Sequence, residues 1–140
     1  MIISELRVYD FRQFKSVDGA PGLKITFHKG LNALIGENDS GKTAVIDALK
    51  LVLLTQSNEY IRPSDEDFYK PVGEDACSEF KIDCTISDFT QNEAKNFIEY
   101  LSFNQTENGI EYTLELHYRA WKEGHKIYQE LRVGDIDDGI

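Results

Sequence analysis

Alternation of apolar and polar side chains along the second half of the chain predicts β-strands. Residues 79–88, 110–119 and 126–133 each place mostly apolar side chains at every second position. This period of two is typical of strands that pack one face on a core and leave the other in water. Residues 120–125 separate the last two runs as a hairpin loop. The pattern therefore predicts a three-stranded antiparallel subdomain from residue 78 onward.

Three shorter apolar runs in the first 35 residues predict further strands. The segments "ISELRVYDF" (3–11) and "LKITF" (23–27) alternate, whereas "LNALI" (31–35) is short and largely apolar. A short apolar run bounded by turn residues is typical of a buried strand. The Gly- and Pro-containing segment 19–22 separates the first two runs as a turn.

Two segments predict helices. Residues 45–53 repeat apolar side chains at helical spacing, which predicts a helix over about 41–54. A second helix is predicted at about residues 90–102. Thr90 and Glu93 occupy the capping-box positions at its start.

The turn between "LNALI" and the first helix reads "GENDSGKT", residues 36–43, which has the G-x-x-x-x-G-K-[ST] spacing of a P-loop. Gly36 and Gly41 let the backbone approach phosphate oxygens without a Cβ in the way. Successive N–H groups and the helix N-terminus supply partial positive charge. Lys42 can reach the β- and γ-phosphates, and Thr43 can offer its hydroxyl to Mg²⁺. The motif predicts a nucleotide phosphate site; the alternative is a strand–turn–helix with ordinary turn residues.

Composition and charge narrow the classes of function. A length of 140 residues is that of one domain or part of one, and 41% hydrophobic with 29% charged residues is typical of a soluble globular chain. The formal net charge of −10 argues against broad duplex-DNA binding by this segment alone, because phosphate contacts need a basic face. No apolar run reaches membrane-spanning length. Cys77 and Cys84 have neither metal nor disulfide-framework spacing, which predicts reduced thiols in a cytoplasmic protein.

The motif is preceded by "LRVYDFRQFKS", residues 6–16, in which "DFRQF" forms a turn after the first strand. This order of strand, turn, hairpin and P-loop resembles the N-terminal lobe of the ABC-type ATPase heads of the SMC, RecF and RecN group. Asp10 stands where such heads commonly have Asn. The loop "GENDSGKT", followed by "DEDFYK" at residues 65–70, is most similar to the OLD (overcoming-lysogenisation-defect) family of ATPase/nucleases.

The resemblance implies an α/β fold, namely a P-loop NTPase lobe with a mixed sheet plus an antiparallel β-subdomain. The corresponding boundaries are 1–58 for the P-loop core, 59–77 for a polar connection and 78–140 for the β-subdomain with its one helix. It places the arginine of the turn, Arg12, near the nucleotide; the alternative is a solvated loop arginine. Phe11 and Phe14 are expected to be core or staple residues and not adenine stackers. The residues that it implies for the phosphates of ATP are Gly36, Asn38, Ser40, Gly41, Lys42 and Thr43, with Thr43 as the Mg²⁺ ligand.

Several parts of such a head are not found in the sequence. No apolar run ends in Asp-Glu as a Walker B segment does, no "LSGG"-like signature is present, and Gln129 lies in a strand pattern. Phosphoryl transfer needs an acid that holds the metal and a group that orients water. We therefore expect this chain alone to be inactive, and the rest of the site to lie beyond Ile140 and on a second copy. By resemblance, the full-length protein would form an ATP-dependent homodimer that processes DNA, with a nuclease domain as in the OLD family.

Other functions remain open to different degrees. A stand-alone P-loop module could sense nucleotide without hydrolysing it. A GTPase-like switch would need a D-x-x-G after the second strand and an N-K-x-D, and neither is present. A small-substrate kinase would alternate parallel strands with helices, which the antiparallel runs after residue 78 oppose.

Overall fold

The computed structural model describes residues 1–28, 41–54 and 62–134. The strands predicted from alternation and the first predicted helix are confirmed. Within these ranges the elements are β1 Ile2–Tyr9, β2 Leu23–Thr26, α1 Lys42–Leu54, a 3-10 turn Asp65–Asp67, β3 Glu79–Ser87, α2 Gln91–Asn96, β4 Leu101–Thr106, β5 Gly109–Glu123 and β6 Lys126–Val133.

The six described strands form one sheet, and every described pair is antiparallel. β1 lies between β2 and β3, while β5 has β3 along one edge and β4 and β6 along the other. Leu114 of β5 shows this arrangement, because it pairs with Ile86 of β3 and with Leu101 of β4. The predicted strand 31–35 and the boundary at residue 58 lie outside the described residues. The mixed character of the sheet and the domain boundaries therefore stay predictions.

The start of the second helix agrees with the sequence, but its end does not. The Thr90 hydroxyl accepts a hydrogen bond from the Glu93 N–H at 3.2 Å, and the Glu93 carboxylate accepts one from the Thr90 N–H at 3.1 Å. This capping box is the predicted one. The helix nevertheless ends at Asn96, not near residue 102, and a turn leads into β4.

The predicted three-stranded subdomain therefore has four strands in the described region. β4 was missed because "FIEYL", residues 97–101, continues a helical spacing of apolar side chains. Its pairing with β5 across the turn at residues 107–108 overrides that local preference. Asn108–Gly109, a common hairpin signal, could have revealed it, and Gly109 has a φ of +117°. β5 also continues through Glu123, so the predicted loop 120–125 is shorter than expected.

One face of the sheet packs against α1 and forms the core. The aromatic rings of Phe11, Phe68 and Phe80 meet there, with centroids of Phe11 and Phe68 each 5.0 Å from Phe80. Burying a side chain of this size stabilises a fold by about 1.5–3 kcal/mol. The aliphatic and small core side chains come from β1, α1, β3, α2, β4 and β5: Leu6, Val8, Ala44, Val45, Ala48, Leu51, Val52, Ile82, Cys84, Ala94, Leu101, Leu114, Leu116 and Ala120.

The opposite face of the sheet is polar and carries a charge network. Arg7 donates to Glu5 and, at 3.2 Å, to Glu115, and its Nε lies 3.9 Å from Asp83. Burial alone would lower the Arg7 pKa, but the Glu5 hydrogen bond and the charges of Glu115 and Asp83 outweigh it and raise the pKa. His117 Nδ1 lies 2.8 Å from Asp83 Oδ1 in the same network.

The described helices include none long and apolar enough to cross a membrane. Cys77 and Cys84 are free thiols, as expected from their spacing. Burial raises the pKa of Cys84 to about 12, because an apolar environment disfavours the thiolate. Cys84 is therefore an inert core residue.

Candidate functional site

The described end of the P-loop motif lies at the start of α1. Gly41 precedes the helix, and its carbonyl accepts the first helical hydrogen bond from the Val45 N–H at 3.0 Å. Lys42 and Thr43 are the first two helical residues, and Thr43 is exposed. Gly36, Asn38 and Ser40 fall in residues 29–40, outside the described residues. The structure thus places three of the six predicted phosphate-binding residues.

Gly41 must be a glycine for two reasons. Its φ of +94° is a conformation that other residues rarely adopt. A Cβ on Gly41 would also lie 2.7 Å from Cζ of Phe14 and 3.1 Å from Nε2 of Gln13. The "DFRQF" turn is therefore packed directly against the end of the P-loop.

The N-terminus of α1 fits an anionic group. Its first turn contains Lys42 and Thr43 and no acidic residue. The unsatisfied N–H groups of a helix N-terminus carry partial positive charge, which favours phosphate. The exposed Thr43 hydroxyl is the kind of oxygen ligand that Mg²⁺ accepts beside a phosphate. The described part of the motif therefore fits both predicted groups.

Two residues of the turn that packs on Gly41 have a left-handed backbone conformation. Asp10 and Arg12 have φ values of +55° and +52°. Asp and Asn adopt this region more readily than other non-glycine residues, which explains a preference for either of them at position 10. The Asp10 carboxylate accepts from the Ser16 N–H at 2.9 Å, and the Phe14 N–H donates to the Phe11 carbonyl at 2.9 Å. Phe11 is fully buried, as predicted.

Arg12 connects three parts of the chain. Its Nε donates to Asp67 Oδ1 at 2.9 Å, and its Nη1 lies 2.8 Å from Asp47 Oδ2. Its backbone N–H also donates to the Asp67 carbonyl at 2.7 Å. Burial alone would lower the Arg12 pKa, but the hydrogen bonds that Arg12 donates to Asp67 and Asp47 outweigh it and raise the pKa. Asp47 follows Thr43 by four residues, so both lie on the same side of α1.

The "DEDFYK" segment anchors this cluster. Asp67 is buried, and its Oδ2 accepts from the Ser64 N–H at 2.9 Å. Phe68 enters the core beside Phe80, and the Tyr69 N–H donates to the Asp10 carbonyl at 2.9 Å. The segment that contributed only to a resemblance in the sequence thus holds Arg12 in place.

Sequence reasoning identified Arg12 but missed both of its partners. Asp47 could have been found from its position four residues after Thr43, on the face of the predicted helix that carries the motif. Asp67 carried no signal, because its contact with Arg12 joins residues 55 apart in the chain. A cavity of about 400 Å³ opens beside the cluster and is lined by Arg12, Gln13, Ser64, Glu66, Asp67, Phe68 and Lys70.

Gln129 is not part of this site. It lies in β6, as its strand pattern indicated, and its Oε1 accepts from the Tyr118 hydroxyl at 2.8 Å. Among residues 1–28, 41–54 and 62–134, no group of three or more His, Cys, Asp or Glu side chains is arranged to hold a metal ion.

Comparison with known proteins adds three findings. The sequence profile of the AAA ATPase domain family matches residues 1–132. The chain is 36% identical over 58 residues to the DNA replication and repair protein RecF of Streptococcus suis, an alignment that covers 41% of this chain and 14% of that protein. It is 32% identical over 73 residues to the DNA double-strand break repair Rad50 ATPase of Pyrococcus abyssi, covering 52% of this chain and 8% of that protein. The aligned segments are thus a small part of these relatives.

The fold also has a counterpart among solved structures. A structure from work on ATP-driven dimerisation and DNA-stimulated activation of SMC ATPases matches with a TM-score of 0.61 at 19% identity. The match covers 99% of this chain and 75% of that one. The fold is therefore SMC ATPase-like, with an antiparallel sheet and few helices in the described residues.

Proposed function

We propose, on the premise that this chain belongs to the AAA ATPase domain family, that it binds ATP and Mg²⁺ at the N-terminus of α1. The chain is homologous to the ABC-type ATPase heads of RecF, Rad50 and SMC proteins. The observation that carries the proposal is Gly41. Its positive φ and its contact with Phe14 bring the "DFRQF" turn against the loop just before Lys42.

Each residue of the site then has a role that its chemistry supports. Gly41 and the first N–H groups of α1 would face the phosphate oxygens, and Lys42 would neutralise the β- and γ-phosphates. Arg12 adds a second cation close to the same side of α1. Mg²⁺ held by the Thr43 hydroxyl would offset the remaining phosphate charge. Gly36, Asn38 and Ser40 complete the set on sequence grounds.

For the full-length protein, we propose a cytoplasmic ATPase head that dimerises around ATP and drives DNA processing. The similarity to RecF and Rad50 supports a role in DNA repair or chromosome dynamics. An OLD-like nuclease rests on the resemblance of "GENDSGKT" followed by "DEDFYK" and is the less supported version. The partners would be the remainder of its own chain, a second copy of the head, and DNA.

The alternative is a module that senses nucleotide without hydrolysing it. Both functions need the same phosphate site, so a binding experiment tests what they share.

Titration of Mg-ATP into the chain by calorimetry, beside a Lys42→Ala variant, tests the site. We expect a dissociation constant weaker than about 1 µM, because half of the usual contacts would be missing and ordering a loop around a ligand costs free energy. Lys42→Ala should weaken binding by at least about tenfold, or about 1.4 kcal/mol. Lys50→Ala, an exposed lysine about two turns further along α1, is the control and should bind like the parent. Equal affinity of the parent and Lys42→Ala would reject the phosphate site.

A further inference from the structure

The two carboxylates that hold Arg12 differ in burial. The Asp67 side chain is 7% exposed, whereas the Asp47 side chain is 32% exposed and the Arg12 side chain 28%. The contact through Nε is therefore inside the protein, and the contact through Nη1 is close to solvent. Arg12 therefore has an inner contact, from Nε to Asp67, and an outer contact, from Nη1 to Asp47, and we expect the inner contact to be the stronger.

We propose that Arg12 is an anion-binding arm: its base, at Nε, stays bound to Asp67, and its tip, at Nη1, can be released from Asp47. Asp67 is the positioning residue at the base, and Asp47 holds the tip until a phosphate group replaces it. The inference rests on the proposed function, because the phosphate is that of a nucleotide bound at Lys42 and Thr43.

The base is fixed because several contacts hold the same two residues together. Asp67 accepts from Arg12 Nε with one oxygen and from the Ser64 N–H with the other. The Arg12 backbone N–H donates to the Asp67 carbonyl, so main chain and side chain are both tied. Removing one partner of a buried, charge-assisted contact leaves the other charge unpaired, which is strongly unfavourable. An incoming anion would not displace Asp67.

The tip is releasable because its ion pair is single and partly solvated. Ion pairs of exposed groups contribute little net stability, since water and salt screen them. A phosphate carries more charge than one carboxylate and offers more acceptor oxygens. Asp47 follows Thr43 by one helical turn, so a phosphate at Thr43 would lie within a short side-chain movement of the same guanidinium. Asp47 therefore opposes binding twice, by competing for Arg12 and by repelling the anion.

A simple structural brace makes a different prediction. If Arg12 only joined the turn, α1 and the segment 65–70, then removing either Asp47 or Asp67 would lower stability, and neither change would tighten nucleotide binding. The proposal instead requires effects of opposite sign on binding from the two aspartates.

The test is Mg-ATP titration of the full 140-residue chain and of single variants, with thermal melts to confirm folding. Asp47→Asn should bind about threefold to tenfold tighter than the parent, since the competing charge is removed while the side chain keeps its size. Asp67→Asn should bind several-fold weaker. Glu66→Gln is the matched control, because this exposed acid lines the neighbouring cavity and makes no hydrogen bond or ion pair with Arg12 among the described residues. It should bind like the parent.

A double variant separates release of Arg12 from a general effect of charge. In an Arg12→Gln background, Asp47→Asn should give less than half of its gain, because there is no arm to release. An undiminished gain there would overturn the proposal, as would unchanged or weaker binding by Asp47→Asn. If Asp67→Asn does not fold, the comparison of Asp47→Asn in the parent and in the Arg12→Gln background decides alone. Lys42→Ala distinguishes failure of this inference from failure of the proposed phosphate site. If Lys42→Ala loses binding but Asp47→Asn gains none, only this inference is rejected. If Lys42→Ala binds like the parent, the phosphate site itself is rejected.

Discussion

At the scale of single residues, neighbours decide what the same side chain does. Arg7 and Arg12 both have pKa values raised by carboxylates that outweigh burial. Arg7 lies within a network on the polar face of the sheet, where Glu5, Asp83 and Glu115 surround it. Arg12 lies beside the start of α1 and meets only one deeply buried partner among the described residues. Arg7 is therefore a structural residue, while Arg12 is a candidate for function.

A pH-dependent contribution to stability is predicted at His117. Its pKa is raised by the hydrogen bond with Asp83, which outweighs burial. A raised pKa in the folded state means that the contribution is fully present below the ordinary pKa of about 6.5 and is lost as pH rises through the folded pKa. His117→Gln should therefore destabilise the protein more at pH 6 than at pH 9, by about 1 kcal/mol for a half-buried charge-assisted bond.

Urea unfolding at the two pH values measures this difference. Four charged side chains lie near His117: Arg7 of β1, Asp83 of β3, Glu115 of β5 and Arg132 of β6. His125→Gln, in the exposed turn between β5 and β6, is the control and should leave the pH dependence unchanged. The same loss of stability at both pH values in His117→Gln would contradict the assignment.

At the scale of elements, the site depends on the packing of two turns against one helix. The "DFRQF" turn contacts Gly41, and the "DEDFYK" segment holds the turn through Asp67 and Tyr69. The 3-10 turn at 65–67 thus supports the "DFRQF" turn, which packs on Gly41. Packing of this kind preorganises the residues of a binding site before a ligand arrives.

Gly41→Ala should lower the free energy of unfolding more than an alanine substitution at another glycine of similar backbone conformation. It combines a strained positive φ with a Cβ only 2.7 Å from the Phe14 ring, and we expect a loss of about 3 kcal/mol with weaker ATP binding. Gly73→Ala has a φ of +77° with nothing within 4 Å, so it isolates the backbone cost and should lose about 1 kcal/mol. Urea unfolding compares the two variants. Equal losses would mean that the contact with Phe14 contributes nothing.

At the scale of the whole molecule, the sheet of described strands links β1 and β2 to the subdomain after residue 78. β1 pairs with β3, so the packing of α1 and the polar network share a common support. The segments aligned with this chain are a small part of the RecF and Rad50 proteins, and we propose ATP hydrolysis for the full-length protein.

Negligible ATP turnover by these 140 residues is the prediction at this scale. No apolar run of the sequence ends in Asp-Glu as a Walker B segment does, and phosphoryl transfer needs a residue that holds Mg²⁺ and one that orients water. Phosphate release should be far below the roughly 1–10 per second of ordinary enzymes. Turnover in that range, lost in Lys42→Ala, would show that a catalytic carboxylate lies within the chain. Asp47 and Asp67, beside Arg12, would then be the first to replace.

The sequence by itself determined the elements whose signals are local. Alternation predicted five of the six described strands, helical spacing predicted α1, and Thr90 with Glu93 predicted the start of α2. The motif with the "DFRQF" turn predicted a relationship to RecF and SMC heads, which the comparisons confirm, whereas the closer relationship to the OLD family stays a proposal. These features depend on neighbours a few positions away, where periodicity and turn chemistry act.

Only the tertiary structure decided the features that join distant residues. β4 forms because pairing with β5 outweighs a helical spacing of apolar side chains. Arg12 contacts Asp67, which is 55 residues away in the sequence, and Phe14 packs against Gly41, which is 27 residues away. Contacts over such separations leave no local pattern in the sequence. Long-range contacts follow from how elements pack, and packing is set by the shape of the whole core. The sequence predicted a phosphate site, and the fold supplied the two carboxylates that hold Arg12 beside α1.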